Sequence, residues 1–127
     1  MRSTVARARL ARGHLAELAV ADYLVAHGFS VVGRNVRLGM LELDVVARRG
    51  ALVVVVEVRT RGNGSFQGPF ESITPAKRAR LVRAVDRLWR ERLGSMPSVE
   101  RVRIDAAAVT FDGGQTRVEY LAGAISG

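Results

Sequence analysis

Two acids embedded in apolar strand sequence, Asp44 and Glu57, have the types and spacing to do chemistry together. Residues 36–61 read VRLGMLELDVVARRGALVVVVEVRTR. Leu41, Leu43, Val45 and Ala47 alternate with Glu42, Asp44 and Val46. After an Arg48-Arg49-Gly50 turn, Leu52, Val54, Val56 and Val58 alternate with Val53, Val55, Glu57 and Arg59. This is the period-two signature of half-buried strands, and strands joined by so short a turn pair antiparallel. With Arg49-Gly50 as a two-residue loop, Arg48 faces Ala51. Asp44 then lies opposite Val55 and diagonal to Glu57, on the face that also carries Glu42 and Arg59. Diagonal neighbours are roughly 7–8 Å apart, close enough for two carboxylates to share a metal ion. A loop one residue longer or shorter would send the acids to opposite faces.

Asp44 and Glu57, with Glu17 as a third candidate, offer only hard oxygen ligands, which suit Mg²⁺ or Mn²⁺ rather than zinc. A cation so held activates water and neutralises charge building on a phosphodiester. Arg59, two residues beyond Glu57, would stand beside that reaction and stabilise its transition state. An NTPase is disfavoured, because the chain has no glycine-rich loop ending in Lys-Ser/Thr. Its two histidines, His14 and His27, flank a helical stripe where they are expected to face water, so they support no Ser-His-Asp set.

The elements that must position these groups are legible. Residues 11–27 read as a helix ended by Gly28, with Leu10, Gly13, Val20, Ala21 and Leu24 on one stripe and Glu17 in its middle. A carboxylate on a core-facing stripe needs a metal or a buried ion pair with an arginine. Residues 29–35 read as a first strand, followed by the hairpin. The loop at residues 62–69 (GNGSFQGP) is the expected substrate flap. Thr74 caps a second helix with Pro75 in its first position and Gly94 beyond its end. Leu81, Val82, Val85, Leu88 and Trp89 form its buried face. Arg80, Arg83, Arg87 and Arg90 run along another, either a solvated charged face or a ridge that tracks phosphates. Residues 99–111 and 116–121 read as two further strands around the turn Asp112-Gly113-Gly114-Gln115. The order is that of an α/β domain with a mixed sheet.

A chain of 127 residues with 48% hydrophobic content suits a single domain, residues 1–127, with residues 1–10 as a basic N-terminal arm. It contains no cysteine, which excludes disulfides and thiolate chemistry. The longest purely apolar run, residues 51–56, is too short to span a bilayer. A cytoplasmic protein is expected, with no membrane partner. Its formal net charge of +8 favours a polyanion as partner. Nineteen of the twenty basic residues are arginine, and Lys77 is the only lysine.

Several of these residues together resemble a known family. Glu17…Tyr23-Leu24, Gly28-Phe29, Arg34-Asn35-x-Arg37, Glu42-Leu43-Asp44, Glu57-Val58-Arg59-Thr60-Arg61, Phe66…Pro69-x-Glu71, Lys77 and Arg103-Ile104-Asp105 are similar to the YraN family. That bacterial family is restriction-endonuclease-like, belongs to the PD-(D/E)xK nuclease superfamily and is similar to archaeal Holliday-junction resolvases. The resemblance runs over residues 13–109 and implies a restriction-endonuclease-like αβββαβ core. It also implies Glu17, Asp44 and Glu57 as metal ligands for Mg²⁺ or Mn²⁺, with Arg59 where the catalytic lysine belongs. Three departures stand out. Leu41 replaces a glycine ahead of Glu42-Leu43-Asp44, and Phe66-Gln67-Gly68-Pro69 moves a glycine by one place. Arg59 replaces lysine, and a guanidinium cannot be deprotonated.

The expected activity is therefore metal-dependent endonucleolytic hydrolysis of phosphodiester bonds in DNA, with branched or junction DNA as the favoured substrate. Asp44, Glu57, Glu17 and Arg59 would form the catalytic set. Lys77, Arg80, Arg83, Arg87 and Arg61 would bind nucleic acid, with a homodimer kept open. A catalytically degenerate nuclease fold that only binds nucleic acid is the alternative, favoured by Leu41 and Arg59. A protein scaffold whose acids merely pair with arginines is the third reading.

Overall fold

In the computed structural model, which describes residues 4–61 and 73–125, helix α1 (Thr4–Ala26) precedes three strands: β1 (Ser30–Leu38), β2 (Leu41–Arg49) and β3 (Leu52–Arg61). Helix α2 (Pro75–Glu91) and a short 3-10 turn at Leu93–Ser95 follow, then β4 (Arg101–Asp112) and β5 (Gln115–Ile125). The strands lie side by side in sequence order. Only β3 and β4 run parallel, since α2 lies between them in sequence and a parallel pair needs such a crossover. The order αβββαβ matches expectation, and β5 extends the sheet antiparallel to β4. The expected flap at residues 62–69 lies outside the described residues.

One helix covers each face of the sheet. On one side Ala16, Val20 and Leu24 of α1 pack on Val45, Ala47, Val54, Val56, Ala107 and Val109. On the other, Leu81, Ala84 and Leu88 of α2 pack on Leu43, Val46, Val53, Val55 and Ile104. The central strand β3 is therefore buried on both faces from Leu52 to Val56, which explains its unbroken apolar run. Thr74 caps α2 by accepting from the Lys77 backbone N–H at 3.2 Å, with Pro75 opening the helix.

The hairpin register differs from the expected one. Arg49 pairs with Leu52, so the turn residues are Gly50 and Ala51 rather than Arg49 and Gly50. Gly50 has φ +60° and Ala51 has none of that left-handed character, as in a type II′ turn with glycine in its first central place. The β1–β2 turn repeats the device: Leu38 pairs with Leu41, and Gly39 takes φ +66°. Moving the turn by one residue on both strands shifts each pairing by two. The parity survives, and the register carried onward brings Asp44 level with Glu57 instead of diagonal to it.

Two further differences concern element ends. The first helix begins at Thr4, so most of the expected basic arm belongs to α1. Strand β5 runs on to Ile125, past the expected end at Leu121. A buried carboxylate accounts for that extension. Asp105, fully buried, accepts from Arg103 Nε and Nη2 at 2.8 and 3.0 Å, from the Tyr120 hydroxyl, and from the Gly123 N–H at 2.8 Å. The β4–β5 ladder shifts register between Ile104 and Ala106, and Gly123 has φ +64° there. The irregular backbone turns its N–H to the carboxylate, which a buried charge requires.

Candidate active site

Strand β2 loses its simple alternation at Asp44. Val45 and Ala47 face α1 and Val46 faces α2, yet Leu43 also faces α2. Across the ladder, Arg34 pairs with Val45 and Val36 with Leu43, which sets Asn35 beside Asp44. Asn35 has φ +54°, a left-handed conformation that asparagine tolerates better than most residues. The paired β2–β3 register stops at Val45 and Val56. Beyond it, the Val58 backbone N–H donates 2.8 Å to Asp44 Oδ2. The strands thus part at Asp44, and its side chain takes the backbone donor. The half-buried carboxylate lines clefts on both sides of the sheet rim.

The cleft on the α2 side is lined by Leu41, Glu42, Asp44, Glu57, Lys77 and Arg80, among others. Glu57 is 7% exposed and receives Lys77 Nζ at 3.1 Å from the first turn of α2. Asp44 is held well above the ordinary carboxylate range, pushed up to about 7. Burial is the largest cause and the neighbouring Glu57 carboxylate the next; the Val58 N–H pulls the other way.

On the α1 side the cleft is lined by His14, Glu17, Asn35, Glu42, Asp44 and Thr60, among others. Glu17, 7% exposed, approaches from the helix stripe where the sequence placed it. With its amide nitrogen turned to the carboxylates, Asn35 donates to Glu17 Oε2 at 2.7 Å and to Glu42 Oε1 at 2.9 Å. His14 Nδ1 lies 3.4 Å from Glu17 Oε1 while most of its ring is exposed. Glu17 is raised above its ordinary value, first by burial, with His14 and Asn35 lowering it and Glu42 raising it.

This donor set fits a divalent cation in its chemistry. The oxygens are hard, and two crowded carboxylates carry negative charge that a cation would relieve. Among the described residues, however, no three acid or imidazole groups are gathered closely enough to enclose an ion. Asp44 and Glu57 share one cleft, whereas Glu17 meets Asp44 only in the other.

Residues 16–109 match the family model described as "Uncharacterised protein family UPF0102". The chain belongs to family UPF0102. A UPF0102 protein of Sorangium cellulosum is 50% identical over 91% of this chain and 81% of its own length. Another from Anaeromyxobacter dehalogenans is 39% identical over 94% of this chain and 87% of its own. One from an Arthrobacter strain is 40% identical over 92% and 98%. Among solved structures, Pyrococcus furiosus SfsA in complex with Ca²⁺ aligns with TM-score 0.42 and 15% identity, over 94% of this chain and 65% of that one. The UPF0102 match, which spans α1 to β4, contains Glu17, Asn35, Glu42, Asp44, Glu57 and Lys77.

The remaining expected site residues of this UPF0102 chain are dispersed. Arg80 lines the α2-side cleft, and Arg83 is exposed beside it on the helix. Arg87 donates to the Leu38 carbonyl at 3.1 Å and to Glu91 at 2.9 Å, which ties α2 to the β1–β2 turn. Arg90 pairs with Asp86 at 3.2 Å. Arg61 lies 3.6 Å from Glu119 on β5. Arg59, half-buried on β3 at the level of Ala108, lines neither cleft. Sequence reasoning missed Asn35 and Glu42 as partners of Glu17. The available signal was an asparagine in a strand with acids on both neighbouring elements. Among the described residues no helix is long and apolar enough to cross a membrane.

Proposed function

We propose that this chain is a metal-dependent nuclease acting on DNA, with Asp44 and Glu57 as its metal-binding pair. The observation that carries the reading is the pair itself: two carboxylates crowded at the parting of β2 and β3, in a cleft walled by Lys77 and Arg80. Two acids this close disfavour each other's charge, which a bound cation would relieve. A net charge of +8 supports a polyanionic substrate.

In this reading Asp44 and Glu57 hold Mg²⁺ or Mn²⁺. When bound, the ion would supply a lowered water pKa and Lewis-acid stabilisation of the phosphoryl oxygens. The Val58 N–H orients Asp44 so that one oxygen is fixed and the other is available to the ion. Glu17, kept in place by Asn35, faces the opposite side of the Asp44 carboxylate, where it can complete the ligand shell or orient a water. Arg80 and Arg83 continue the cationic wall outward along α2, where backbone phosphates would lie. Arg59 follows Glu57 along β3 as a second source of positive charge.

The test is incubation of the purified chain with duplex, flap and four-way-junction DNA, with and without Mn²⁺. Metal-dependent cleavage that Asp44→Asn abolishes is expected. Salt-sensitive binding to all three with no cleavage would replace this reading with the degenerate binder. Leu41, in the cleft lining at the mouth of β2, gives that second reading its specific support.

A further inference from the structure

We propose that Lys77 supplies the catalytic cation of this site from α2, and that it is released to the substrate phosphate when a divalent ion takes its place on Glu57. The proposal rests on the nuclease reading above and names the residue that touches the scissile phosphate.

Three observations support it independently. The first is geometric: Lys77 Nζ lies 3.1 Å from Glu57 Oε1, with its side chain 29% exposed, so it is held yet open to solvent. It lines the cleft that contains both Asp44 and Glu57. The second is a local cost. Lys77 is the third helical residue after the Thr74 cap, where an acid would satisfy both the capping box and the helix dipole. A cation there opposes the dipole, and no acid in the first turn of α2 compensates it. Among the described residues, the long-range partner Glu57 offsets that cost.

The third is the kind of cation. Nineteen of twenty basic residues are arginine, yet the cation that α2 places on Glu57 is the single lysine. An ammonium is a compact point charge on a flexible stem and bonds its anions one at a time. A guanidinium instead forms a rigid two-pronged grip on a carboxylate. The first can be displaced by an ion and move a few ångströms to the next anion; the second resists displacement. Lys77 therefore neutralises Glu57 where the two touch. Were Glu57 to hold an ion, the ammonium would be able to bond a non-bridging phosphate oxygen instead. No proton transfer is required of it.

The experiment compares wild type, Lys77→Gln and Lys77→Arg, measuring Mn²⁺ affinity by calorimetry, junction and flap cleavage, and thermal stability. Lys77→Gln is expected to bind Mn²⁺ about tenfold more tightly, since a charged hydrogen bond no longer competes for Glu57. It should nonetheless cleave about a hundredfold more slowly. Lys77→Arg should bind Mn²⁺ no better than wild type and recover part of the rate. Opposite movements of affinity and rate are the signature that a merely structural lysine would not produce. If wild type cleaves and Lys77→Gln cleaves equally well, this proposal falls and the nuclease reading stands. A drop in Mn²⁺ affinity and stability together would show a structural ion pair and overturn it. No cleavage by wild type would overturn the nuclease reading and the catalytic role of Lys77 with it.

Discussion

The Val58 backbone N–H donates to Asp44 Oδ2 at 2.8 Å where the paired β2–β3 register has ended. One side chain therefore stands in for a strand partner and leaves the β2–β3 ladder open at its end. The open end puts a carboxylate where two clefts meet, and burial with Glu57 alongside makes its charge unfavourable. In the proposed nuclease, stability and function would oppose each other at this residue.

A pH dependence follows. Between the unfolded Asp value of about 4 and about 7, the folded protein keeps a proton that the unfolded chain has shed. Asp44's contribution is therefore fully present at acidic pH and disappears as pH rises through that window. Asp44→Asn removes the penalty while its amide oxygen still accepts from Val58. Its melting temperature should exceed that of the ion-free wild type at pH 8, and the two should converge near pH 4. Equal melting curves at pH 8 would show that Asp44 is not strained by its setting.

Asp105 gives the contrasting case of a buried acid with every partner in place. Replacing it with alanine strands the Arg103 guanidinium, the Tyr120 hydroxyl and the Gly123 N–H. A loss of about 3–5 kcal/mol is expected, the usual consequence of breaking a buried pair. Chemical denaturation should show it, whereas Asp44→Asn should not be destabilising at all at neutral pH.

Binding and catalysis separate on α2. Arg80 and Arg83 face the cleft side and solvent, while Arg87 and Arg90 have intramolecular acids as partners. Charge reversal of Arg80 and Arg83 together should weaken DNA binding and flatten its salt slope, by about one unit for each phosphate no longer neutralised. Reversal of Arg90 should change the slope much less. Equal slopes for both variants would make the helix a solvated face with no part in binding.

Glu17 was visible in the sequence because a 3.6-residue stripe exposes any acid that interrupts it. The two strand acids were visible because they interrupt apolar strands, and period two puts both on one face. The turn was misplaced because Arg49-Gly50 and Gly50-Ala51 give the same local pattern; only the backbone shows glycine in the first turn position. Asn35 was opaque for a related reason. A left-handed residue inside a strand has no periodic signature, and its partners come from α1 and β2. The ion pair of Lys77 with Glu57 joins elements twenty positions apart, and local pattern carries no distance information across that span.

Asn35 invites a test that separates conformation from bonding. Asn35→Gly suits φ +54° and deletes the amide that bridges Glu17 and Glu42. Asn35→Asp also tolerates the backbone but places a third carboxylate against two others. Near pH 8 and without divalent ions, the aspartate variant should melt well below the glycine variant, and acidification should close the gap. If both melt alike across pH, the amide bridge contributes nothing.

The last prediction concerns Arg59, the residue that stands where the resemblance expects lysine. If the arginine blunts a nuclease, Arg59→Lys should raise metal-dependent cleavage, most of all combined with Leu41→Gly, which opens the mouth of β2. The geometry favours the opposite outcome. Leu41 and Lys77 line the same cleft as Asp44 and Glu57, and Lys77 already contacts Glu57. An ammonium added at position 59 would duplicate a charge already delivered from α2. Arg59→Lys should therefore change the cleavage rate little, and Leu41→Gly should act mainly through access, raising the rate with either residue at position 59. The pair of changes then combine without synergy, as independent sites do. A strongly more-than-additive gain in the double variant, with Lys77→Gln harmless in that background, would return the catalytic cation to β3.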